Sequence, residues 1–404
     1  MPNLPLATQN LARVAQNRLA KLHRQSQKYS GRTSKLVRDT LKDGRVGLRR
    51  AARTATTGAY VGAVRFTRYW KKVNERTWPR LTTDVSVRLD LWSAARGSAP
   101  IVVGPWLSEV GYEVLYWIPF LRWFVDYYRI DPARVIAVSR GGVSGWYDGI
   151  ASRYVELLDL YPPGEFAARN RARQQGDQKQ KGIAALDDEI IAKVRERIGG
   201  ADLHVCHPSM MFRLLRQFWL GNESLDHALS YLHYQTMAPQ NEMLSAPALA
   251  TLPDEYVAMK FYTARSFGAQ DRHNDLLRGV VESIARRYPV VLLGTGLALD
   301  EHEDFLFAGI PGVTNAAAWM RPENNLGVQT EIIRRARRFV GTCGSVAWLA
   351  PMLGTDTLAV YSDDHLLTSH VYAARHGYAS MQAGRFVTLD LNALELMALD
   401  EKLL

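Results

Sequence analysis

The stretch that decides the fold is residues 339–362, FVGTCGSVAWLAPMLGTDTLAVYS. An apolar strand end leads into a turn of small residues, Gly341 to Ser345, followed by a helix pattern and a second apolar strand at Thr357 to Tyr361. Strand, turn, helix and strand in this order form the unit of a parallel sheet. At such a turn, free backbone N–H groups and the positive end of the helix dipole point to one place, which suits a diphosphate. The alternative is that the glycines only permit a tight connection.

The length and the cysteine content limit the class of protein. A chain of 404 residues is too long for one ordinary core and fits two domains with an extension. Its two cysteines, Cys206 and Cys343, are too few for a disulfide framework and indicate a reducing cytoplasm. No apolar run approaches the roughly 20 residues of a membrane helix, and the sequence does not begin with a secretory signal pattern. We therefore expect a cytoplasmic protein.

Basic residues are concentrated in the first quarter of the chain. Residues 1–100 contain 21 Lys and Arg against 5 Asp and Glu, whereas the whole chain has a net charge of +10. The remaining body is mildly acidic, which predicts no nucleic-acid partner. Residues 9–76 mix apolar and basic side chains at helical spacing, which suits a peripheral position on an anionic membrane at the inner face of the cell. The alternatives are a solvated, partly disordered arm and a helix that packs on another subunit of a homo-oligomer.

Strand and helix patterns alternate after this basic segment and fall into two blocks. Residues 100–245 form the first predicted Rossmann-like domain, and residues 246–385 form the second. A basic amphipathic helical extension over residues 1–99 precedes them, and a C-terminal helix over residues 386–404 follows. The predicted fold class is therefore α/β, with two facing Rossmann-like domains. Ligands of open parallel sheets bind beyond the carboxyl ends of the strands, so we expect the loops there to face one cleft.

Three stretches resemble the nucleotide-binding half of glycosyltransferases of the GT-B architecture, namely VGTCGSVAWLAPMLGTDTLAVYS, NNLGVQTEIIRRARRF and KFYTAR. The likeness is strongest to bacterial cell-surface polysaccharide enzymes such as the lipopolysaccharide heptosyltransferases. GPWLSEVGYEVLYWIPFLR resembles the first loop and helix of their acceptor domain. The chain departs from them at Thr342 to Ser345, where heptosyltransferases usually carry an acidic residue. The resemblance implies a GT-B-like fold and sugar transfer from a nucleotide-sugar donor to a cell-surface polysaccharide or glycolipid acceptor.

Such a transfer requires a base that removes the proton of the acceptor hydroxyl. Glu109 is the candidate base, because Gly111 lets the loop turn and direct the carboxylate into the cleft; capping of the helix is the alternative. Glu113 lies one helical turn further on and could tune or replace it or contact the acceptor, although a structural role is the stronger alternative. Trp106 is the candidate aromatic platform for the acceptor. The nearby Trp117 is expected in the core.

The departing nucleoside diphosphate must also be stabilised. Lys260 and Arg265 flank a strand end, where cations can meet phosphate oxygens, with ordinary ion pairing as the alternative for Lys260. Thr342, Gly344 and Ser345 would add hydroxyl and amide donors from the neighbouring loop. The chain contains no Asp-x-Asp, the arrangement that often holds a divalent cation. We therefore predict a metal-independent reaction without a cofactor, in which the nucleotide-diphosphate sugar is a co-substrate.

Two other functions remain open. A sugar-nucleotide 2-epimerase shares this architecture and would need acid/base residues around the sugar carbon, such as His302, Glu303 and Asp304. It would need no acceptor. A catalytically inactive relative of the same fold could instead serve as a scaffold or bind a glycan without nucleotide affinity.

Overall fold

The computed structural model describes residues 78–392, apart from 177–178, 201, 238–242, 265, 269–270, 296, 298–302, 366 and 382–383. The predictions made for residues 9–76, for Arg265 and for His302 therefore lie outside the described residues. The part of the predicted C-terminal helix that begins at residue 393 does so as well. Both sheets described below belong to one compact unit, Thr83–Leu404.

The first half contains a four-stranded parallel sheet in the order β3-β2-β1-β4. Its strands are β1 (Ile101–Val103), β2 (Val135–Ser139), β3 (Arg153–Glu156) and β4 (His204–Cys206). Every residue of β1 and β2 is buried, as expected for a parallel sheet covered on both faces. The helices are α1 (Trp78–Arg96), α2 (Val110–Tyr112), α3 (Ile118–Tyr128), α4 (Pro163–Gly176), α5 (Ala185–Arg197), α6 (Pro208–Trp219), α7 (Leu225–Leu229) and α8 (Ala246–Thr251).

The second half contains a six-stranded parallel sheet in the order β10-β9-β8-β5-β6-β7. Its strands are β5 (Val257–Lys260), β6 (Val290–Leu292), β7 (Val313–Asn315), β8 (Arg338–Thr342), β9 (Thr357–Tyr361) and β10 (Phe386–Asp390). The helices are α9 (Asp271–Ala285), α10 (Asn325–Arg335), α11 (Ser345–Met352) and α12 (Thr368–Met381). The order in residues 339–362 is β8, turn, α11 and β9, as the sequence predicts. The α/β class with parallel sheets is confirmed.

The end of the chain corrects one prediction. Phe386–Asp390 forms a strand that pairs in parallel with Thr357–Tyr361, where the sequence analysis places the start of a C-terminal helix. Phe386, Val387 and Thr388 are residue types that favour strands, and the open edge of β9 offers this segment backbone partners. The second sheet therefore continues beyond residue 385. The predicted domain limits at residues 100 and 245 stay predictions.

The two halves contact each other directly. The indole nitrogen of Trp146 donates to the hydroxyl of Thr330 at 3.0 Å, and the backbone nitrogen of Gly327 donates to the carbonyl of Gly141 at 2.9 Å. The largest apolar cluster draws residues from both halves and includes Trp117, as the sequence analysis expects, together with Phe120 and Trp123 of α3. Among the described residues, no helix is both long enough and apolar enough to cross a membrane.

Candidate functional site

The loop after β1 and the turn after β8 meet in the structure. α2 begins at Val110 and continues through a π-helical turn, Glu113–Trp117, into α3, while α11 begins at Ser345. A Cβ atom on Gly111 would lie 3.0 Å from the backbone nitrogen of Ser345, so glycine permits this close approach. Two helix N-termini therefore lie side by side. Their free N–H groups and their dipoles both favour an anion at this place.

The turn before α11 requires glycine for a second reason. Gly344 has a φ of +145°, and a Cβ atom there would lie 2.5 Å from the hydroxyl oxygen of Tyr262. Ser345, at a φ of +38°, also lies in the left-handed region that few residues with a side chain adopt. The backbone is thus bent so that the first turn of α11 stands beside Tyr262, which follows β5.

A pocket of about 580 Å³, including its open mouth, lies at this junction. The first half contributes Val110 and Arg140, which follow β1 and β2. The second half contributes residues that follow β5 and β6 and the first residues of α10 and α11, among them Lys260, Asn325 and Ser345. The expectation that the loops beyond the strand ends face one cleft is therefore confirmed.

Lys260 is the cation that the second sheet supplies to the pocket. It ends β5, and its side chain is 12% exposed. Its ammonium group donates to the side-chain oxygen of Gln329 at 3.0 Å and lies 3.7 Å from a carboxylate oxygen of Asp304. The carboxylate of Asp304 also accepts from the backbone nitrogen of Thr295 at 2.6 Å. The ammonium group is therefore fixed at the pocket wall by partners on two different elements.

Arg140 is the cation that the first sheet supplies, and the sequence analysis did not identify it. It follows β2 and is buried, with only 4% of its surface exposed. Its guanidinium donates to the carbonyl oxygens of Trp106 at 3.2 Å and Ser108 at 3.0 Å. These bonds hold the loop that leads to Glu109 and keep a positive charge in the wall of the pocket. Its position directly after a buried strand is the sequence feature that could have indicated a role in the pocket.

Glu109, the predicted base, stands at the entrance to α2. It is the residue before the first helical turn, but its side chain makes no capping hydrogen bond. The carboxylate is 43% exposed and lies 3.9 Å from the ammonium group of Lys179. Val110, the next residue, lines the pocket. Glu109 therefore occupies the N-cap position without a side-chain hydrogen bond, and both its interaction with the helix dipole and its role as base stay predictions.

Glu113 is fully buried in the first half. Its Oε1 accepts from the hydroxyl of Ser139 at 2.5 Å and from the hydroxyl of Tyr147 at 2.6 Å. Its Oε2 is buried without a hydrogen-bond partner among the described residues. Burial raises the pKa of Glu113 to about 7, although these two hydrogen bonds and the charge of Arg140 oppose the rise. The side chain has no exposed surface, which favours the structural alternative, and the predicted acceptor contact stays a prediction.

A buried network fastens the loop between β1 and α2. Gln180 accepts from the backbone nitrogen of Leu107 at 2.8 Å and donates to the carbonyl of Pro105 at 2.9 Å. It also donates to Asp187 at 2.9 Å, and Asp187 pairs with His207 at 3.2 Å. Burial would raise the pKa of Asp187, but the hydrogen bond and charge of His207 give a net lowering. The loop that carries Glu109 is therefore held by side chains distant in sequence.

A second network links α12 of the second half to the helix that follows Glu109. His370 lies between two phenols, with Nε2 at 3.2 Å from Tyr112 and Nδ1 at 2.6 Å from Tyr116. Lys179 donates to the hydroxyl of Tyr112. An ammonium group only donates, so the hydroxyl of Tyr112 accepts from Lys179, while the neutral ring of His370 donates from one nitrogen and accepts at the other and thereby links the two phenols. Burial and then the charge of Lys179 lower the pKa of His370 to about 3, which keeps the ring neutral.

Two other predicted site residues lie in the interior. Trp106 has no exposed surface and stacks between Trp117 at 5.7 Å and Phe212 at 6.1 Å, so no ring face is open to an acceptor. The hydroxyl of Thr342 accepts from the backbone nitrogen of Tyr262 at 3.0 Å and donates to its carbonyl at 3.1 Å. Trp106 packs in the core under the loop after β1, and Thr342 holds the backbone of Tyr262. Their predicted contacts with an acceptor and a phosphate stay predictions.

The structure thus brings Lys260 and Ser345 together around one pocket, with Gly344 directly before Ser345 in the chain. Glu109 precedes Val110, which lines the same pocket. Within the described ranges, no group of three His, Cys, Asp or Glu side chains is arranged to hold a metal ion. Besides Arg140, the sequence analysis did not identify Asn325, which lines the pocket, or Gln329, which holds the ammonium group of Lys260. Both belong to α10, and its helix pattern gives no indication of which face meets the pocket.

Comparisons with known proteins gave matches only among solved structures. No family model matches the chain, and no curated protein matches it. A glycosyl transferase family 9 structure from Veillonella parvula matches at 11% identity over 76% of this chain and 90% of that chain, with a TM-score of 0.40. E. coli heptosyltransferase WaaC with ADP matches at 15% identity over 75% and 99%, with a TM-score of 0.35. E. coli ADP-heptose heptosyltransferase II matches at 12% identity over 65% and 85%, with a TM-score of 0.33. Likenesses of this size carry no argument about activity.

Proposed function

We propose that the protein is a glycosyltransferase of GT-B-like fold that moves a sugar from a nucleotide-sugar donor to a cell-surface polysaccharide or glycolipid acceptor. One observation carries the proposal: Lys260 and Arg140 meet the N-terminal ends of α10 and α11 in a single pocket. Two cations and two helix N-termini outnumber the carboxylate of Asp304, which lines the same partly enclosed pocket. A diphosphate is the group of a nucleotide sugar that matches it.

The reaction follows from this placement. The acceptor oxygen attacks the anomeric carbon, a new glycosidic bond forms, and the bond from that carbon to the diphosphate breaks. Lys260 and the N–H groups at Ser345 stabilise the negative charge that the leaving diphosphate takes with it. The carboxylate of Glu109 accepts the proton of the acceptor hydroxyl. In this scheme protein cations replace a divalent metal ion, and no cofactor beyond the donor takes part.

The setting of the reaction is part of the same proposal. A polysaccharide or glycolipid acceptor lies at the cell envelope, so the enzyme would act from the cytoplasm at the inner face of the membrane. The basic residues 9–76 would hold it there. The resemblance of the glycine-rich stretches to enzymes of cell-surface polysaccharide synthesis supports this setting.

A thermal-shift screen with UDP, GDP, ADP and CMP and their sugars tests donor binding. At least one nucleotide should raise the melting temperature, because a ligand that binds only the folded state stabilises it. Lys260→Met should then weaken binding of that nucleotide by about tenfold or more, the effect of losing one charge-assisted hydrogen bond. Lys193→Met is the matched control, since Lys193 is a 38% exposed lysine paired with Glu189. A chain that responds to no nucleotide would contradict the proposal.

Glu109→Gln separates binding from chemistry. The amide cannot accept the proton, so turnover should fall by about a hundredfold or more while donor affinity stays unchanged. Turnover is measured as nucleoside diphosphate released in the presence of acceptor, and affinity by titration calorimetry. Unchanged turnover would assign the base to another residue.

One observation favours a second candidate. Asp304 lines the pocket and is held by Thr295, and a carboxylate beside the donor could serve a sugar-nucleotide 2-epimerase. Incubation with donor alone distinguishes the two activities. An epimerase converts the donor without an acceptor, whereas a transferase leaves the sugar of the donor unchanged.

A further inference from the structure

Helix α1 carries two apolar stripes instead of one. The inner stripe is buried and comprises Val87, Leu91 and Ala94. The outer stripe comprises Val85, Leu89 and Trp92, which are 46%, 58% and 41% exposed. At 100° per residue, positions 85, 89, 92 and 96 fall on one line along the helix. Among the described residues, packing accounts for the inner stripe only, and three large apolar side chains in a row indicate a contact surface.

Arginines flank the outer stripe. Arg96 continues the line, and its guanidinium carbon lies 4.2 Å from the centre of the Trp92 ring. Arg88, on the neighbouring side, is partly buried over the ring of Tyr231 at 4.8 Å. Asp90 is the exposed carboxylate of this stretch. A tryptophan with an arginine over its face presents apolar area and positive charge together, a combination that suits the boundary between lipid headgroups and acyl chains.

We propose that the outer stripe of α1 binds the surface of a membrane that contains anionic lipids. The sequence argues against the other occupants. Residues 1–77 contain 18 Lys and Arg against 3 Asp and Glu, so this segment, or a second copy of the same surface, would bring like charges onto Arg88 and Arg96. Nucleic-acid phosphates would match the arginines but not Val85 and Leu89. An anionic lipid surface matches both the charge and the apolar area.

A fluorescent label at the stripe tests the contact directly. Cys206 and Cys343 are both buried, so a Leu89→Cys variant of the full chain offers one exposed thiol for an environment-sensitive dye. Val387→Cys is the matched control, because Val387 is 56% exposed and lies on β10. Each labelled protein is mixed with phosphatidylcholine vesicles, with and without phosphatidylglycerol, at low and at high salt.

The dye at position 89 should shift to the blue with phosphatidylglycerol vesicles, more weakly at high salt, while the dye at position 387 does not respond. An unchanged spectrum at position 89 would overturn the proposal, even if the protein sediments with the vesicles through another segment. A dye at position 89 that is already blue-shifted without vesicles would also overturn it. That result would mean that the chain or a second copy covers the stripe.

Affinity gives a second readout. The double substitution Leu89→Ser and Trp92→Ser should weaken vesicle binding by about tenfold, the effect of losing part of the burial of two large side chains. Tyr288→Ser is the matched control, because Tyr288 is also 41% exposed and also lies under an arginine, Arg337, at 5.4 Å. Both variants should keep wild-type stability and nucleotide binding, so the result is independent of the proposed enzyme activity. Equal vesicle affinity of the two variants would contradict the assignment.

Discussion

The polar groups at the carboxyl ends of the strands are hydrogen-bonded differently in the two sheets. In the first half, polar side chains at the strand ends bind one another: Ser139 and Tyr147 donate to Glu113, and the backbone nitrogens of Gly141 and Gly142 donate to Glu156. In the second half, a glycine-rich turn leads directly into α11, whose N-terminus lines a pocket. The first arrangement satisfies its donors internally. The second leaves donors facing a space that a ligand can fill.

This difference assigns separate tasks to the two halves. The internal network of the first half fixes the loop before α2 and with it the position of Glu109. The second half provides the attraction for an anion. Arg140 belongs to both arrangements, because it binds two carbonyl oxygens of that loop and also lines the pocket.

The largest effect tests the buried carboxyl of the first half. The pKa of Glu113 is raised from 4.5 to about 7, so the folded state holds a proton that the unfolded state has lost. The contribution of Glu113 to the free energy of unfolding is fully present below about pH 4.5 and is lost as the pH rises through about 7. Glu113→Gln removes the titration. The stability advantage of the variant over wild type should grow by about 2.5 kcal/mol from pH 5 to pH 8, measured by urea unfolding.

Glu255→Gln is the control for this series, since its carboxylate is 73% exposed. Its unfolding free energy should follow that of wild type at both pH values. The unfolding free energies of Glu113→Gln and wild type could instead differ by the same amount at pH 5 and pH 8. That result would show that the folded state does not hold the carboxyl of Glu113 in its protonated form, and it would contradict the description of the first half.

An effect of intermediate size tests the turn of the second half. Gly344→Ala places a Cβ atom against the hydroxyl of Tyr262 in a conformation that favours glycine, and should cost about 2 kcal/mol of stability and most of the nucleotide affinity. Gly354→Ala is the matched control, because Gly354 has a φ of +85° and open space around it. Tyr262→Phe should restore part of the stability of Gly344→Ala in a double-mutant cycle. No rescue would mean that the tyrosine does not set the turn.

The smallest effect concerns the link between the halves. His370→Gln loses one hydrogen bond of the Tyr112 to Tyr116 chain and should cost about 1 kcal/mol at neutral pH. The pKa of His370 is lowered from 6.5 to about 3, so wild type loses stability as the pH falls below about 6.5. This slope is opposite to that of Glu113. The loss of stability at low pH should be absent in His370→Gln. If the variant loses stability as wild type does, the ring of His370 does not cause the pH dependence.

The sequence predicted the second half better than the first. Residues 339–362 fold in the expected order because the turn, the helix start and the apolar strands depend on neighbouring residues. The cleft followed from a general property of parallel sheets. Lys260 and Ser345 line the same pocket because the strands that end near them, β5 and β8, are neighbours in the sheet.

The network of the first half could not be predicted in this way. Gln180, Asp187 and His207 support the loop after β1 from more than 70 residues away in the chain. No local pattern encodes such contacts, and the same holds for the burial of Trp106 between two other aromatic rings. Burial is also what raises the pKa of Glu113, and it depends on contacts with Ser139 and Tyr147 that spacing alone does not indicate.

The central claim is that a diphosphate binds where the N-terminus of α11 meets Lys260. Titration calorimetry with the nucleoside, the monophosphate and the diphosphate of the base selected in the screen tests it most directly, in wild type and in Lys260→Met. The affinity of wild type should rise with each added phosphate. Lys260→Met should bind the diphosphate about tenfold more weakly than wild type and should bind the nucleoside equally well. Equal affinities for nucleoside and diphosphate, or an unchanged affinity of the variant for the diphosphate, would contradict the account.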